Sequence, residues 1–286
     1  MKIALLVSGD LGFIVLKKII PNYKIEFVMT DKNSKSIKKF CEKNKIPIYE
    51  GNPRKSSSSM FYANFSIDLI FSINYLYLID ENLIKYPKKF SINIHGSLLP
   101  KYRGRTPHVW SIINGEKKTG ITVHLIENEC DAGDIIYQEE LSIENEDTGA
   151  SILNKFKMRY PEIALEIIKN IDEDKIKRLK QDHKKATYYP KRSPIDGKID
   201  LSLNSKDICN WVRAQAYPYP GAFVFFEDYK VIFDKVIKTD LSFDKNLSNG
   251  TIINVNPLLF KVNDAILKVT KHRFNSGKLK KNKIFK

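Results

Sequence analysis

Short apolar runs and helix-patterned stretches alternate from the first residues onward, and few folds accept that alternation. Residues 3–7 (IALLV) read as a strand, and the Ser8-Gly9-Asp10 turn follows. Residues 11–20 read as a helix stopped by Pro21, whose ring removes a donor and crowds the preceding turn. Further strands are predicted at 25–30, 46–49, 68–73 and 90–94, with helices at 36–45 and near 77–86. Strands that alternate with helices at this pace imply a parallel sheet covered on both faces. The first turn carries no GxGxxG, so nothing in it argues for a dinucleotide.

The pattern then changes. A short helix with Pro107 in its first turn fits 106–114, and 120–125 and 135–141 are strand-like. Residues 148–168 form an amphipathic helical stretch, with Ile152, Phe156, Met158, Ile163 and Ile167 as its apolar positions. Pro161 is expected to kink it. Residues 172–198 are polar, basic and turn-rich, and read as a linker. Beyond a possible helix at 207–214, short β-like runs at 222–226, 230–233, 251–255 and 265–269 suggest a small antiparallel or barrel-like unit. The expected fold class is therefore α/β: a Rossmann-like open parallel sheet with helices on both faces, then a small β-rich C-terminal domain, OB-like or hairpin-like. The expected domains are 1–185, a linker at 186–204, and 205–286.

The whole chain of 286 residues is long enough to bury a substantial core. Its formal charge is +15, unevenly spread: residues 1–150 carry 20 basic and 18 acidic groups (net +2), residues 151–286 carry 28 and 15 (net +13). A basic field of that kind attracts nucleic acid, anionic membrane or a phosphate-bearing substrate, and it also keeps a protein in solution. The three cysteines, Cys41, Cys130 and Cys209, are far apart. They exclude a disulfide scaffold and a cysteine-rich zinc site, and point to a reducing compartment such as the cytoplasm. The opening MKIALLVSGD is too short and too strand-like for a signal peptide, and no run of eighteen apolar residues suggests a membrane span.

The densest polar constellation lies between Ser91 and Arg105. Asn93 and His95 are two apart on a strand, so both side chains leave on one side, and His95 sits at the strand's C-terminal end, beyond which open α/β sheets bind ligands. A second acidic loop, ECDAGD, carries Asp131. If the fold brings Asp131 to His95, the group is suited to acyl transfer: an imidazole to move a proton, a carboxylate to orient it, and an amide to meet an oxygen that gains charge. One His, one Asn and one Asp make a poor zinc set, so no metal is expected. Spacing alone leaves open that His95 is a core histidine, Asn93 a strand-end hydrogen bonder and Asp131 a turn former. It also does not separate transfer from hydrolysis.

The stretch NIHGSLLPKYRGRTPHVWSIINGEKKTGITVH followed by CDAGDII, with ATYYPKRSPIDGKID at 186–200, closely resembles the 10-formyltetrahydrofolate-dependent formyltransferase family. That family includes methionyl-tRNA formyltransferase, glycinamide ribonucleotide transformylase and nucleotide-sugar N-formyltransferases. The resemblance places the catalytic asparagine, histidine and aspartate on Asn93, His95 and Asp131. It implies 10-formyltetrahydrofolate as formyl donor, no metal, and a homodimer formed through the C-terminal region. It further implies a folate pocket lined largely by main chain at 72–77, 98–100 and 128–134, so that Ser72, Ile73, Asn74, Tyr75, Leu98, Leu99, Asn128 and Asp134 become cofactor-binding candidates.

Within the family, three features point to a nucleotide-linked (UDP- or dTDP-) deoxyamino sugar as acceptor. The loop at 31–35 is too short for the basic insertion that resemblance to the tRNA enzyme would require. The chain continues well past the single domain of the glycinamide ribonucleotide enzyme. The form RTPHVW, with YPYPGAF later, looks most like the sugar enzymes. Arg103 and Arg105 could meet a diphosphate through their planar forks. Tyr102, His108, Trp110, Tyr217 and Tyr219 could wall a sugar or base. The net +13 of the second half keeps methionyl-tRNA formyltransferase as the alternative.

Overall fold

The computed structural model describes residues 1–274 and 276–286. Its chain runs β1 (Ile3–Val7), α1 (Gly9–Ile19), β2 (Ile25–Thr30), α2 (Lys35–Lys43), β3 (Ile48–Glu50), α3 (Ser56–Tyr62), β4 (Leu69–Ile73), α4 (Glu81–Ile84), β5 (Phe90–His95), β6 (Arg103–Gly104), α5 (Pro107–Ile113), β7 (Lys118–Leu125), β8 (Ile135–Ser142) and α6 (Gly149–Asp172). Then come β9 (Tyr188–Tyr189), α7 (Ser205–Ala214), β10 (Ala222–Phe226), β11 (Tyr229–Lys238), β12 (Ile252–Val255), β13 (Leu258–Val262) and β14 (Ala265–His272). These group into two compact units. The first comprises Met1–Gly104, Gly120–Leu141 and Asn154–Tyr189; the second comprises Arg105–Thr119, Ser142–Leu153 and Pro190–Lys286. Residues 105–119 and 142–153, expected within the 1–185 domain, group by contact with the second unit, a grouping that chain order alone does not reveal.

The first unit is built on a seven-stranded sheet in the order β3-β2-β1-β4-β5-β7-β8. The pairs β1–β2, β1–β4, β2–β3 and β4–β5 are parallel, as expected. β7 runs antiparallel to β5, so the sheet is mixed rather than wholly parallel. The helix in the 96–117 connection, α5, groups with the second unit and packs with α7, so it does not serve as a crossover on this sheet. Successive side chains of β1 divide the core. Ala4 and Leu6 pack with Phe27, Met29, Tyr62 of α3 and Leu83 of α4, while Val7 meets α1 at Gly12, where an added Cβ would lie 3.0 Å from the Val7 Cβ. Helices therefore cover both faces.

Several local features depart from the sequence pattern. α3 went unpredicted because Ser56-Ser-Ser-Ser59 is a poor helix former in isolation; Tyr62, buried in the core, anchors it. The helix expected near 77–86 shrinks to four residues, fixed by Asp80, which accepts a 3.0 Å hydrogen bond from the Leu83 N–H. α6 runs through Pro161, and Met158, assigned to its apolar side, is exposed. No described helix is long and apolar enough to cross a membrane.

The second unit holds a five-stranded antiparallel sheet in the order β10-β11-β14-β13-β12. Here the β-rich expectation is met, with β13 added; Pro257 immediately before it had masked that run. Phe226, Phe233, Phe260 and Phe285 form the centre of its core, to which α7 contributes Ile208 and Val212. Asn204 caps α7 by accepting from the Asp207 N–H at 2.9 Å.

Candidate active site

His95 ends β5, and β5 pairs with β7 in a register that sets Asn93 opposite His124 and His95 opposite Thr122. All four side chains occupy one patch because residues two apart share a face. His95 is buried, and its Nε2 lies 2.8 Å from the Tyr102 carbonyl oxygen. A carbonyl can only accept, so Nε2 carries the hydrogen and Nδ1 is the nitrogen left to take a proton. Nδ1 faces Asp131, 3.6 Å from Oδ2.

The loop after β7 brings Asp131 there. Its tip is held by Gly133, where a Cβ would sit 2.1 Å from the Leu125 carbonyl oxygen, so no other residue fits without moving the strand. Asp131 itself lies in the left-handed region, with φ 55°, which aspartate tolerates better than most residues. Its Oδ2 accepts from the Gly104 N–H at 2.9 Å, and the Cys130 thiol donates to the same oxygen at 3.4 Å. Gly104 is the second position that needs glycine: its φ is 97°, and a Cβ would lie 2.4 Å from the Tyr189 carbonyl oxygen. The two distant segments expected to meet therefore do meet.

A residue that the sequence reading did not single out completes the group. His124 is buried, its Nδ1 2.7 Å from the Leu125 carbonyl oxygen. By the same reasoning Nδ1 bears the hydrogen and Nε2 is an acceptor. The Asn93 amide donates to that Nε2 at 3.1 Å. The tautomer of His124 thus fixes which end of the Asn93 amide is nitrogen, and leaves that nitrogen a second hydrogen for a ligand oxygen. Nε2 of His124 also lies 3.5 Å from Asp131 Oδ1, so the carboxylate stands between two imidazoles. The signal was present: Thr122 and His124 alternate on a strand whose partner carries Asn93 and His95, but it becomes visible only once the β5–β7 pairing is known.

Burial alone would raise the Asp131 carboxyl. The charge of His95, the hydrogen bond and charge of His124, and the Gly104 N–H outweigh it, and hold the group well below the usual carboxylate range. Asp131 is therefore an anion throughout the physiological range, available to support positive charge on an imidazole.

The remaining candidates divide. Ser72, Ile73, Tyr75 and Leu99 are buried, so the segments they belong to offer a ligand mainly backbone. Ser72 pairs directly with Asn93 between β4 and β5. The Tyr75 hydroxyl is spent on the Gly51 carbonyl oxygen at 3.3 Å, and the exposed Asn74 amide donates to the Ser8 carbonyl at 3.0 Å. Leu98 and Asp134 are half-buried and Asn128 is exposed. The backbone at 97–99 is pinned: the Thr122 hydroxyl donates to the Ser97 carbonyl and accepts from the Leu99 N–H.

Two expected substrate contacts are corrected. Arg103 is fully buried, with its guanidinium hydrogen-bonded to Glu129, Tyr188 and Gln181, so it cannot reach out to a diphosphate. Tyr102 is buried, and its ring stacks on Tyr189 with centroids 4.9 Å apart. Arg105, His108, Trp110, Tyr217 and Tyr219 belong to the second unit. There Arg105 and Tyr217 are exposed, and the half-buried Trp110 ring stacks against Arg192, which lies 4.8 Å from it and 4.7 Å from Trp211. His108 Nε2 and the Tyr219 hydroxyl are 2.9 Å apart.

Comparison with known proteins identifies the family. The family described as Formyl transferase matches residues 1–168, and the formyl transferase C-terminal domain matches 191–285. The chain is 35% identical over 279 residues to the bifunctional polymyxin resistance protein ArnA of Wigglesworthia glossinidia brevipalpis; the match takes in 94% of this chain and 42% of that protein, so the chain spans less than half of its relative. Among solved structures, the chain is similar to WlaRD, a sugar 3N-formyl transferase crystallised with dTDP and 5-N-formyl-THF (TM-score 0.73, 24% identity, 96% of this chain and 98% of that one). It is also similar to the N-formyltransferase of Helicobacter canadensis in complex with folinic acid and dTDP-3-aminofucose (TM-score 0.76, 19% identity, 96% of this chain and 100% of that one). With a family match over more than half of its length, the chain belongs to the formyl transferase family.

Proposed function

We propose that the chain transfers the formyl group of 10-formyltetrahydrofolate to the amine of a nucleotide-linked deoxyamino sugar, UDP- or dTDP-linked, by direct attack of the amine. The observation that carries this reading is the meeting of Asn93, His95 and Asp131 at the end of β5, with His95 Nδ1 3.6 Å from Asp131 Oδ2. The sugar class draws support from the relatives: one is a sugar 3N-formyl transferase crystallised with dTDP, another an N-formyltransferase in complex with dTDP-3-aminofucose.

The donor, when bound, supplies an activated one-carbon unit. The Asn93 amide hydrogen not engaged by His124 meets the formyl oxygen as that oxygen gains charge. His95 Nδ1 takes a proton from the attacking amine and returns it toward the departing N10, and Asp131 supports the imidazolium in between. The new bond joins amine nitrogen to formyl carbon, the bond from that carbon to N10 breaks, and the products are a formamide and tetrahydrofolate. With two substrates held in contact, much of the rate comes from positioning. The folate fits a site whose neighbouring segments present pinned backbone, as at Leu99.

Exposed Arg105 and Tyr217 and half-buried Trp110 stay candidates for nucleotide-sugar binding within the second unit. Three free cysteines, Cys41, Cys130 and Cys209, support a reducing cytoplasm, and family resemblance supports a homodimer in a pathway of surface-glycan synthesis. The decisive experiment is a formylation screen with UDP-, dTDP- and GDP-linked amino sugars and 10-formyltetrahydrofolate, read by mass spectrometry. Gain of one CO by a nucleotide sugar is expected. Formylation of methionyl-tRNA instead, with binding that weakens steeply in salt, would replace the sugar by the tRNA reading.

A further inference from the structure

The segment that the sequence reading took for a linker reaches into the catalytic group. Gln181 is buried, and its Nε2 donates to the carbonyl oxygens of Asp131 at 2.9 Å and Gly133 at 2.7 Å. Its Oε1 accepts from Arg103 Nη2 at 2.7 Å. A guanidinium only donates, so Arg103 dictates which end of the Gln181 amide is oxygen, and thereby turns the NH2 group toward the Asp131 loop. The fully buried Arg103 is itself tied down by Tyr188, whose hydroxyl lies 2.5 Å from Nη1, and by Glu129 at 3.3 Å. Its Nε has no partner, so the fork is held by its two terminal nitrogens alone.

We infer that Arg103 and Gln181 form a positioning pair for formyl transfer, holding the backbone of Asp131 in its left-handed conformation so that the carboxylate stays between His95 and His124. The pair touches neither substrate; it acts through Asp131. Two features make it more than packing. The residue it holds has φ 55°, a left-handed conformation that is uncommon outside glycine even though aspartate tolerates it. And the bonds end on the carbonyls of Asp131 and Gly133, the two residues whose geometry the site needs most. The role of the pair in catalysis rests on the function proposed above; its role in ordering the loop does not.

The test separates those two dependences. Gln181→Glu keeps the size of the side chain and the acceptor for Arg103, but loses the donors and sets an oxygen against two carbonyls. Gln181→Met loses both. In the protein without substrates, amide hydrogen exchange of 127–134 is expected to speed up in both variants while the β1–β2 core exchanges as before. In the formylation assay both lose about tenfold to a hundredfold in kcat with little change in KM, the scale of a misplaced catalytic group. In an Asp131→Ala background the Gln181→Glu change costs no further kcat, because there is no carboxylate left to position. Unaltered exchange at 127–134 would overturn the ordering role, whether or not a sugar substrate has been found. A kcat loss that persists undiminished without the Asp131 carboxylate would reduce the pair to general packing. Rescue is expected to fail with Arg103→Lys, since an ammonium cannot span Gln181 and Tyr188 as the fork does.

Discussion

Buried His95 and half-buried His108 both sit within hydrogen-bond reach of a polar partner, yet their surroundings are opposite. His95, in the first unit, faces the anionic Asp131 across 3.6 Å and shares that carboxylate with His124. His108, in the second unit, pairs with the phenol of Tyr219, and burial pushes its imidazole down to about 4 and the phenol up to about 12. One ring has an ionised carboxylate beside it; the other has only a phenol, and burial disfavours its charged form. The identity of the residue therefore says little about chemistry. What decides it is whether a carboxylate has been brought close and kept ionised, which here takes a glycine at 133, a backbone N–H at 104 and a left-handed aspartate.

The largest way to sharpen that contrast is on the amide. Asn93→Ala removes the donor aimed at the developing charge and is expected to lower kcat by about a hundredfold to a thousandfold. His124→Gln, which can still accept from Asn93, is expected to lose far less; equal losses would show that His124 itself takes part in proton movement. Steady-state kinetics with the preferred nucleotide sugar measures both.

The second contrast is thermodynamic. Between the ordinary value of 6.5 and about 4, the His108 ring is protonated in the unfolded chain and neutral in the folded one. Acid therefore draws the chain toward unfolding, and stability rises with pH through that window, by about 3 kcal/mol from this group at most. Urea titrations of the wild type and His108→Gln at pH 7 and pH 4.5 are expected to converge at the lower pH. Asp131 behaves in the opposite sense. Its folded value is depressed, so the stability it adds is present above the ordinary 3.8 and is lost only as pH falls toward that depressed value. An acid limb of activity above pH 5 is thus not protonation of Asp131, and turnover is expected to fall in acid as the acceptor amine holds its proton and loses its nucleophilic lone pair.

The smallest expected effect is that of Tyr219→Phe. It leaves a buried imidazole nitrogen without its phenol and is expected to cost about 1–2 kcal/mol, read as a lower urea midpoint at unchanged m-value. A variant as stable as the wild type would mean that the pair is incidental.

Much of the fold was legible because the strands are written as apolar runs. β1, β2 and β10 occupy the positions the sequence assigned them. What escaped was set by tertiary context: α3 forms from serines because Tyr62 has a core to enter, and β7 turns antiparallel because of what the chain does between strands. Of the site, Asn93, His95 and Asp131 could be named from a contiguous motif. His124 could not, because its relevance lies in a cross-strand register. Arg103 reads in sequence as a surface contact, since an arginine beside a glycine loop usually meets solvent; only its bonds to the buried Gln181 and to the Tyr188 hydroxyl reveal its inward direction.

The account stands on Asp131 acting through His95. Single-turnover formyl transfer by His95→Ala, Asp131→Asn and the double variant measures this directly. Each single change is expected to lower the rate by about a hundredfold or more, and the double variant to be no slower than the worse single. A double variant whose loss is the product of the two would contradict the account, because the carboxylate and the imidazole would then be working independently.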